Sequence, residues 1–398
     1  MSRHGKRGAP GGSVSRRTFL RTIALGAGAT ALTACQPQTP TAAPQAVPPP
    51  AAPPAAQPGW QQAWDALVEA ARREGQLVLH APPTAETRQR LPAAFKDRFG
   101  ITVEYVAVRS SELAPKIVAE KQAGLVSIDV AITGMSSWVD VLYPAGLVAD
   151  MKPLLILPEV IDASLWVADP PLFVDPEQKK LMRLFNSASA MVAVNRDHVD
   201  PASLRTAQDL LRPELRQRII SDDPLVAGPG GLAATYFLEM FGEDFVRKLY
   251  GEQVVSNRDP RQRADGVGRG VFPVWVGAEA APIQTLLDDG FHIEIVRLQD
   301  APGYTSAAFG ISGIIEGAPH PKAAQLFANW LASREGLEIY SRAEREVGMR
   351  KDLNYAEWVP EFTIPKPGVK YIDTYTWDFK SRVQPAAQEK LRELLRTG

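Results

Sequence analysis

The alternation of apolar and polar positions divides the chain into a long run of short elements. Trp60 to Glu74 carries apolar residues at Trp64, Leu67, Val68 and Ala71, a helical spacing that Gly75 ends. Gln76 to His80 is a compact apolar run and predicts a first strand, broken by Pro82-Pro83-Thr84. A helix is expected over Glu86 to Phe99, a strand over Ile101 to Val108, and a helix from Ser110 or Ser111 to Gln122. Ile128 to Thr133 predicts a third strand, and Gly134-Met135-Ser136-Ser137 opens another helix. Strands alternating with helices in this order predict an α/β fold built on a parallel doubly wound sheet.

Met151 to Pro176 is Pro-rich and irregular, and the apolar, β-prone stretch Leu181 to Asn195 predicts a crossover into a second lobe. There the pattern predicts strands at Arg218–Ser221, Val271–Val276 and Phe291–Leu298, with helices at Gly231–Leu249 and Ala280–Asp288. The chain then returns through Ala307 to Ile315. One helix is expected over Pro321–Tyr340, with Ala324, Phe327, Ala328 and Leu331 on its buried face.

Ahead of this pattern lies a different kind of sequence. Ser15-Arg16-Arg17-Thr18-Phe19-Leu20-Arg21 precedes the apolar stretch Ile23 to Leu32, the basic-then-apolar order of a twin-arginine export signal. Leu32-Thr33-Ala34-Cys35 resembles the lipobox of bacterial lipoproteins, in which the thiol takes a diacylglyceryl group. Cys35 is the chain's single cysteine, so neither an intramolecular disulfide nor a multi-cysteine zinc site is available. Gln36 to Gly59 is uncharged and rich in Pro, Ala and Gln, a composition that cannot bury a core and reads as a semi-rigid spacer. The expected organisation is a signal peptide over 1–34 and a tether over 35–59. The first lobe spans 60–185, the second 186–305, a return to the first 306–345, and a helical segment packing on both lobes 346–398.

Charge changes the picture mainly by exclusion. The formal net charge is −1 over 398 residues, which lacks the basic excess of a nucleic-acid footprint. No apolar run reaches the roughly 18–20 residues of a membrane span. No pair of histidines has metal-ligand spacing, no phosphate-binding glycine loop carries the Lys-Ser/Thr ending, and Gly310-Ile311-Ser312-Gly313-Ile314 lacks the spacing of a nucleophile elbow. Gly266-Val267-Gly268-Arg269-Gly270 reads as a loop. These patterns predict neither an enzyme nor a cofactor, although a secreted, anchored α/β enzyme remains the competing class.

Several segments, in order, resemble the periplasmic-binding-protein superfamily of ABC importers, and within it the ferric-iron-type solute-binding family. GQLVLHAPPTAETRQRLPAAFKDRFGITVEYV is similar to that family's first β-α-β unit. IDVAITGMSSWVDVLYPAGLV resembles its third strand, helix and following turn, MVAVNRDHV its crossover, and AAFGISGIIEGAPHPKAAQLFANWLASREGLEIYSR its late strand and helix. The resemblance implies two α/β lobes of the type II arrangement, closing on a small solute in the cleft between them. It also implies permease and ATPase partners, an extracytoplasmic location in the periplasm or at the cell surface, membrane attachment through Cys35, and a monomer. The family's iron ligands include an adjacent tyrosine pair at the segment that here reads Trp275-Val276-Gly277-Ala278-Glu279. That pair is absent, and Thr84 and Gly134 stand near its histidine and acidic positions. Ferric iron wants anionic oxygen donors, so an organic or anionic solute is expected instead.

Candidate contacts follow from strand ends and helix starts, where free N–H groups suit an anion. They are Thr84; Thr133, Gly134, Ser136 and Trp138; and Asp223, Gly230 and Gly231. Arg258 is a candidate for a bidentate grip on a carboxylate, and Trp275, Glu279 and Tyr304 are further candidates for the cleft wall. Each has a structural alternative: helix capping for Ser136, a turn for the glycines, burial for Trp138, Trp275 and Tyr304, a solvated surface for Arg258, and a helix start for Glu279.

Overall fold

The computed structural model describes residues 59–108, 110–226 and 228–396. The twin-arginine segment, the lipobox with Cys35 and the Pro/Ala-rich spacer lie outside the described residues.

Two five-stranded sheets organise the chain. The first runs β2 (Thr102–Val106), β1 (Gln76–His80), β3 (Val130–Thr133), β12 (Ile311–Ile314) and β4 (Met182–Arg183). β1, β2 and β3 are parallel, as the β-α-β pattern predicts, and β1 from Leu77 on and all of β3 are buried. β12 enters antiparallel to β3 and β4, so the sheet is mixed where the sequence predicts a parallel one. The second sheet runs β10 (Ile293–Val296), β6 (Ala190–Asn195), β9 (Val274–Ala278), β7 (Ile219–Ser221) and β8 (Val254–Ser256). It too is mixed: β7 is parallel to β8 and β9, while β6 is antiparallel to β9 and β10.

The helices Gly59–Glu74, Ala85–Phe99 and Ser110–Gln122 follow the expected periods. Gly100 closes the second with φ 76°, its N–H returning to the Lys96 carbonyl. The single helix expected at Pro321–Tyr340 is two, Pro321–Ala332 and Arg334–Glu344. Ser333 breaks it: its hydroxyl donates to the Trp330 carbonyl at 2.6 Å and accepts from the Gly336 N–H at 3.3 Å, capping the second helix. Part of the glycine stretch expected as a loop belongs to the helix Pro260–Gly268, which Asp259 caps by accepting from the Arg261 and Gln262 N–H groups.

A third, small sheet joins the two. The chain leaves the first sheet at β4, passes through β5 (Ser187–Ala188) and enters the second at β6. It comes back from β10 through β11 (Tyr304–Ser306) to β12. β5 and β11 pair antiparallel, and β13 (Ile372–Asp373) adds itself parallel to β11. Arg183 at the end of β4 fastens this crossing. Its side chain is fully buried and donates to both carboxylate oxygens of Asp373 at 2.8 Å, to the Phe185 carbonyl at 2.9 Å and to Asn186 Oδ1 at 2.8 Å.

Removing one partner of a buried ion pair strands the other, at a cost of about 3–5 kcal/mol. Arg183→Leu is therefore expected to lower the unfolding free energy by about 3 kcal/mol or more, read as a drop in the urea midpoint of the purified chain.

Candidate functional site: the cleft between the lobes

In open α/β sheets the parallel strands end where helices begin, and ligands collect at those ends. In the first sheet the relevant ends are His80 and Thr133. In the second they are Ser221, Ser256 and Ala278.

At the end of β1, half-buried Thr84 precedes the helix Ala85–Phe99. Its hydroxyl donates to Glu344 Oε1 at 2.6 Å, and the Thr87 hydroxyl donates to the same oxygen in a very short contact. Both hydroxyls at this helix start, where a solute anion is expected, thus already hold a carboxylate from the chain itself. At the end of β3, Thr133 is buried and its hydroxyl turns to the Gly134 carbonyl at 2.7 Å. Gly134 lies beside the Ala308 carbonyl and the Tyr375 hydroxyl, which are joined by a 3.0 Å hydrogen bond. Ser136 is exposed. Trp138 is not a cleft wall. It is fully buried in the first lobe, its indole N–H donates to the Ile311 carbonyl at 3.2 Å, and its ring packs where a Cβ on Gly313 would intrude at 2.7 Å.

In the second lobe the loop after β7 folds back over the start of the helix Pro229–Lys248. A Cβ on Gly230 would meet the Asp222 carbonyl at 2.4 Å, and one on Gly231 would meet the Val226 carbonyl at 2.1 Å. Glycine at both positions is required by this close approach, and a substitution there disturbs folding before it reaches a ligand. Asp223 accepts from Arg258 Nε at 3.0 Å and Nη2 at 2.5 Å, so the exposed guanidinium expected to grip a solute carboxylate already holds one. Glu279 accepts from Arg263, which is almost wholly buried and also donates to Asp222 at 3.3 Å and to the Asn257 carbonyl at 2.6 Å. Trp275 is fully buried in the core of this lobe, under the Arg263 guanidinium at 5.6 Å from the ring centroid. Tyr304 is buried in hinge strand β11, and burial raises its phenol above the ordinary range. Both are packing residues, against the expectation that they line the cleft.

The sequence gives no signal for Glu344, Glu346, Arg263 or Tyr375, whose partners lie far away along the chain. Glu346 is half-buried and accepts from the Ser187 hydroxyl of β5. Burial pushes its carboxyl up to about 7; the Ser187 hydrogen bond opposes the shift and neighbouring Glu344 adds to it. Phe309, in the β11–β12 connection, is an exposed aromatic, and its carbonyl accepts from the buried Tyr340 hydroxyl at 2.7 Å. Among the described residues no group of three or more His, Cys, Asp or Glu is placed to hold a metal ion.

Two mixed α/β lobes joined by crossing strands define a two-lobed binding protein. Residues 77–343 match the family model of bacterial extracellular solute-binding proteins, and the chain belongs to that family. Solved structures share the fold. The periplasmic binding protein AfuA from Actinobacillus pleuropneumoniae, with exogenous fructose-6-phosphate bound, is 18% identical, covers 82% of this chain and 100% of its own, and superposes with a TM-score of 0.60. Iron-bound HitA from Pseudomonas aeruginosa is 18% identical over 79% of this chain and 99% of its own, with a TM-score of 0.60. An ABC transporter structure from Clostridium perfringens is 14% identical over 80% and 99%, with a TM-score of 0.62. No curated protein matches significantly. By family the protein is thus an extracellular solute-binding protein. Among the described residues no helix is long and apolar enough to cross a membrane.

A carboxyl whose pKa is raised in the folded chain stabilises it fully below the unfolded value and loses that contribution as pH rises through the folded one. The Glu346 contribution is therefore lost between the ordinary glutamate value of 4.5 and about 7. Glu346→Gln, which keeps an acceptor for Ser187, is expected to flatten the fall of the unfolding temperature over that window and to raise it at pH 8.

Proposed function

We propose that the chain is a lipid-anchored, monomeric capture subunit. It takes up a small organic solute between its lobes, carries out no chemistry on it, and hands it to an ABC permease and ATPase. The observation that carries this reading is the three-stranded crossing of β5, β11 and β13, which joins two otherwise separate sheets in the arrangement of a protein that closes on a solute between its lobes. The polar groups at the strand ends are held in pairs: Thr84 with Glu344, Arg258 with Asp223, and Arg263 with Glu279. The lobe limits we propose fall at 186, 306 and 346, inside or next to the crossing segments. Gly134, Ser136, Thr84 and the Arg258–Asp223 pair remain the proposed rim of the cleft, and exposed Phe309 and half-buried Glu346 are added to it. Anchoring through Cys35 rests on the lipobox and the paired arginines before it.

This function is tested by thermal shift of the mature chain against an organic-solute library that includes citrate, fructose 6-phosphate and ferric citrate. A binder at 100 times its Kd adds about 2.7 kcal/mol to apparent stability. The expected result is a stoichiometric organic binder recovered chemically unchanged, with no tyrosinate-to-iron colour in ferric citrate. Recovery of a converted product would replace the binding role with an enzymatic one.

Anchoring has its own test. Cys35→Ser is expected to abolish incorporation of labelled fatty acid and to release the protein from membranes. Retention of the unacylated variant in the membrane fraction would overturn the lipoprotein reading.

A further inference from the structure

The last part of the chain makes a connection between the lobes that the crossing strands do not. From Trp377 to Arg396 it is helical without a break. Its first turn stands on the first lobe: the Trp377 ring is 4.6 Å from that of Tyr143 and packs on the core of that lobe. Lys380 is buried next to it, its ammonium 4.7 Å from the Tyr375 ring centroid. Burial lowers its pKa to about 8, against the attraction of Asp140 and Asp373. The second half stands on the other lobe. Gln384–Arg396 packs along Pro229–Lys248, and Leu391 is fully buried in that lobe's core. Gln388 Nε2 donates to the Gly231 carbonyl at 3.2 Å and the Pro224 carbonyl at 3.4 Å.

Each foot rests on a segment that leads to the cleft. Tyr143 follows the turn Trp138–Leu142, which continues directly from Gly134 and Ser136 at the end of β3. Pro224 and Gly231 bracket the loop that closes over the start of Pro229–Lys248. Between the two feet, Phe379–Val383 winds as a π-helix and packs on Trp138–Leu142, itself a π-helix. Single π turns are wide, their hydrogen bonding is out of step with the α-helix on either side, and helices bend at them. Rotation of one lobe against the other about β5, β11 and β13 has to bend this helix or lift a foot.

We propose that the helix Trp377–Arg396 is a strap that sets the spacing of the two lobes, bending at Phe379–Val383 and linking the cleft loop of one lobe to that of the other. The proposal rests on the two-lobed fold and not on the identity of the solute, so it can fail while the capture function stands.

Spin labels at Asp97→Cys and Asp288→Cys, exposed helix positions on opposite lobes, report the spacing in the mature chain carrying Cys35→Ser without any solute. Trp377→Ala removes one foot and Gln388→Ala loosens the other. Each variant is expected to broaden the interlobe distance distribution by about twofold, as a two-state equilibrium freed from one bias does. A label pair inside the second lobe, Asp288→Cys with Glu252→Cys, is expected to keep the parent distribution. Unchanged interlobe distances in both variants overturn the proposal, and so does equal broadening of the pair inside one lobe. If Trp377→Ala does not fold, Trp377→Leu with Gln388→Ala decides between these outcomes.

Discussion

A single buried guanidinium holds the architecture together. Arg183 has no contact with solvent, and desolvating it is costly unless its donors are met. They are met by the carboxylate of Asp373, the carbonyl of Phe185 and the amide oxygen of Asn186. These partners lie on two different pieces of the molecule's middle: Phe185 and Asn186 on the outgoing crossing segment before β5, and Asp373 on the late strand β13. A hydrophobic contact at this point would be non-directional and would tolerate sliding. The planar fork of an arginine fixes direction as well as distance, so the crossing segments keep their alignment while the sheets on either side remain separate bodies. Arg350 does the same work within the first lobe, gripping Asp352 and the carbonyls of Glu159 and Ala332, and Arg263 does it in the second.

The fold was legible where burial imposes a period and a chemical stop. Gln76–His80 and Ala280–Asp288 match their expected limits because Gly75 and the Pro-rich turn bound the strand, and Glu279 and a following turn bound the helix. β11 was not legible, since its three residues, Tyr304–Ser306, carry no apolar alternation. The helix Pro260–Gly268 had a readable start in Asp259-Pro260, but its glycines masked it. They are tolerated because Phe272 and Phe291 lie against them and leave no room for a larger residue. The antiparallel entry of β12 follows from its role as the return from the second lobe, a constraint that local sequence does not carry.

The site was legible as a set of places and not as a set of partners. Strand ends and helix starts follow from topology, and the sequence reading placed Thr84, Gly134 and Asp223 there. Folding pairs the ionisable residues at these places with partners distant in sequence. Thr84 meets Glu344 from 260 positions away, and no local pattern announces that contact. Trp138, Trp275 and Tyr304 went to the core for the usual reason that a large aromatic ring gains more by burial than by a share of a wet cleft.

This pairing has a consequence for what the cleft can hold. An anion is bound well by a free guanidinium or an open helix N-terminus. Here Asp223 occupies Arg258, Asp222 and Glu279 occupy Arg263, and Glu344 holds the Thr84 and Thr87 hydroxyls at the start of Ala85–Phe99. A solute carboxylate or phosphate at these places would have to displace an internal carboxylate that is covalently held nearby and therefore present at high effective concentration. Glu346, by contrast, has a hydroxyl partner and, among the described residues, no arginine or lysine in an ion pair with it, and burial pushes its carboxyl up to about 7. Arg258 and Arg263 are thus met from within the chain, whereas the Glu346 carboxyl is met by the Ser187 hydroxyl.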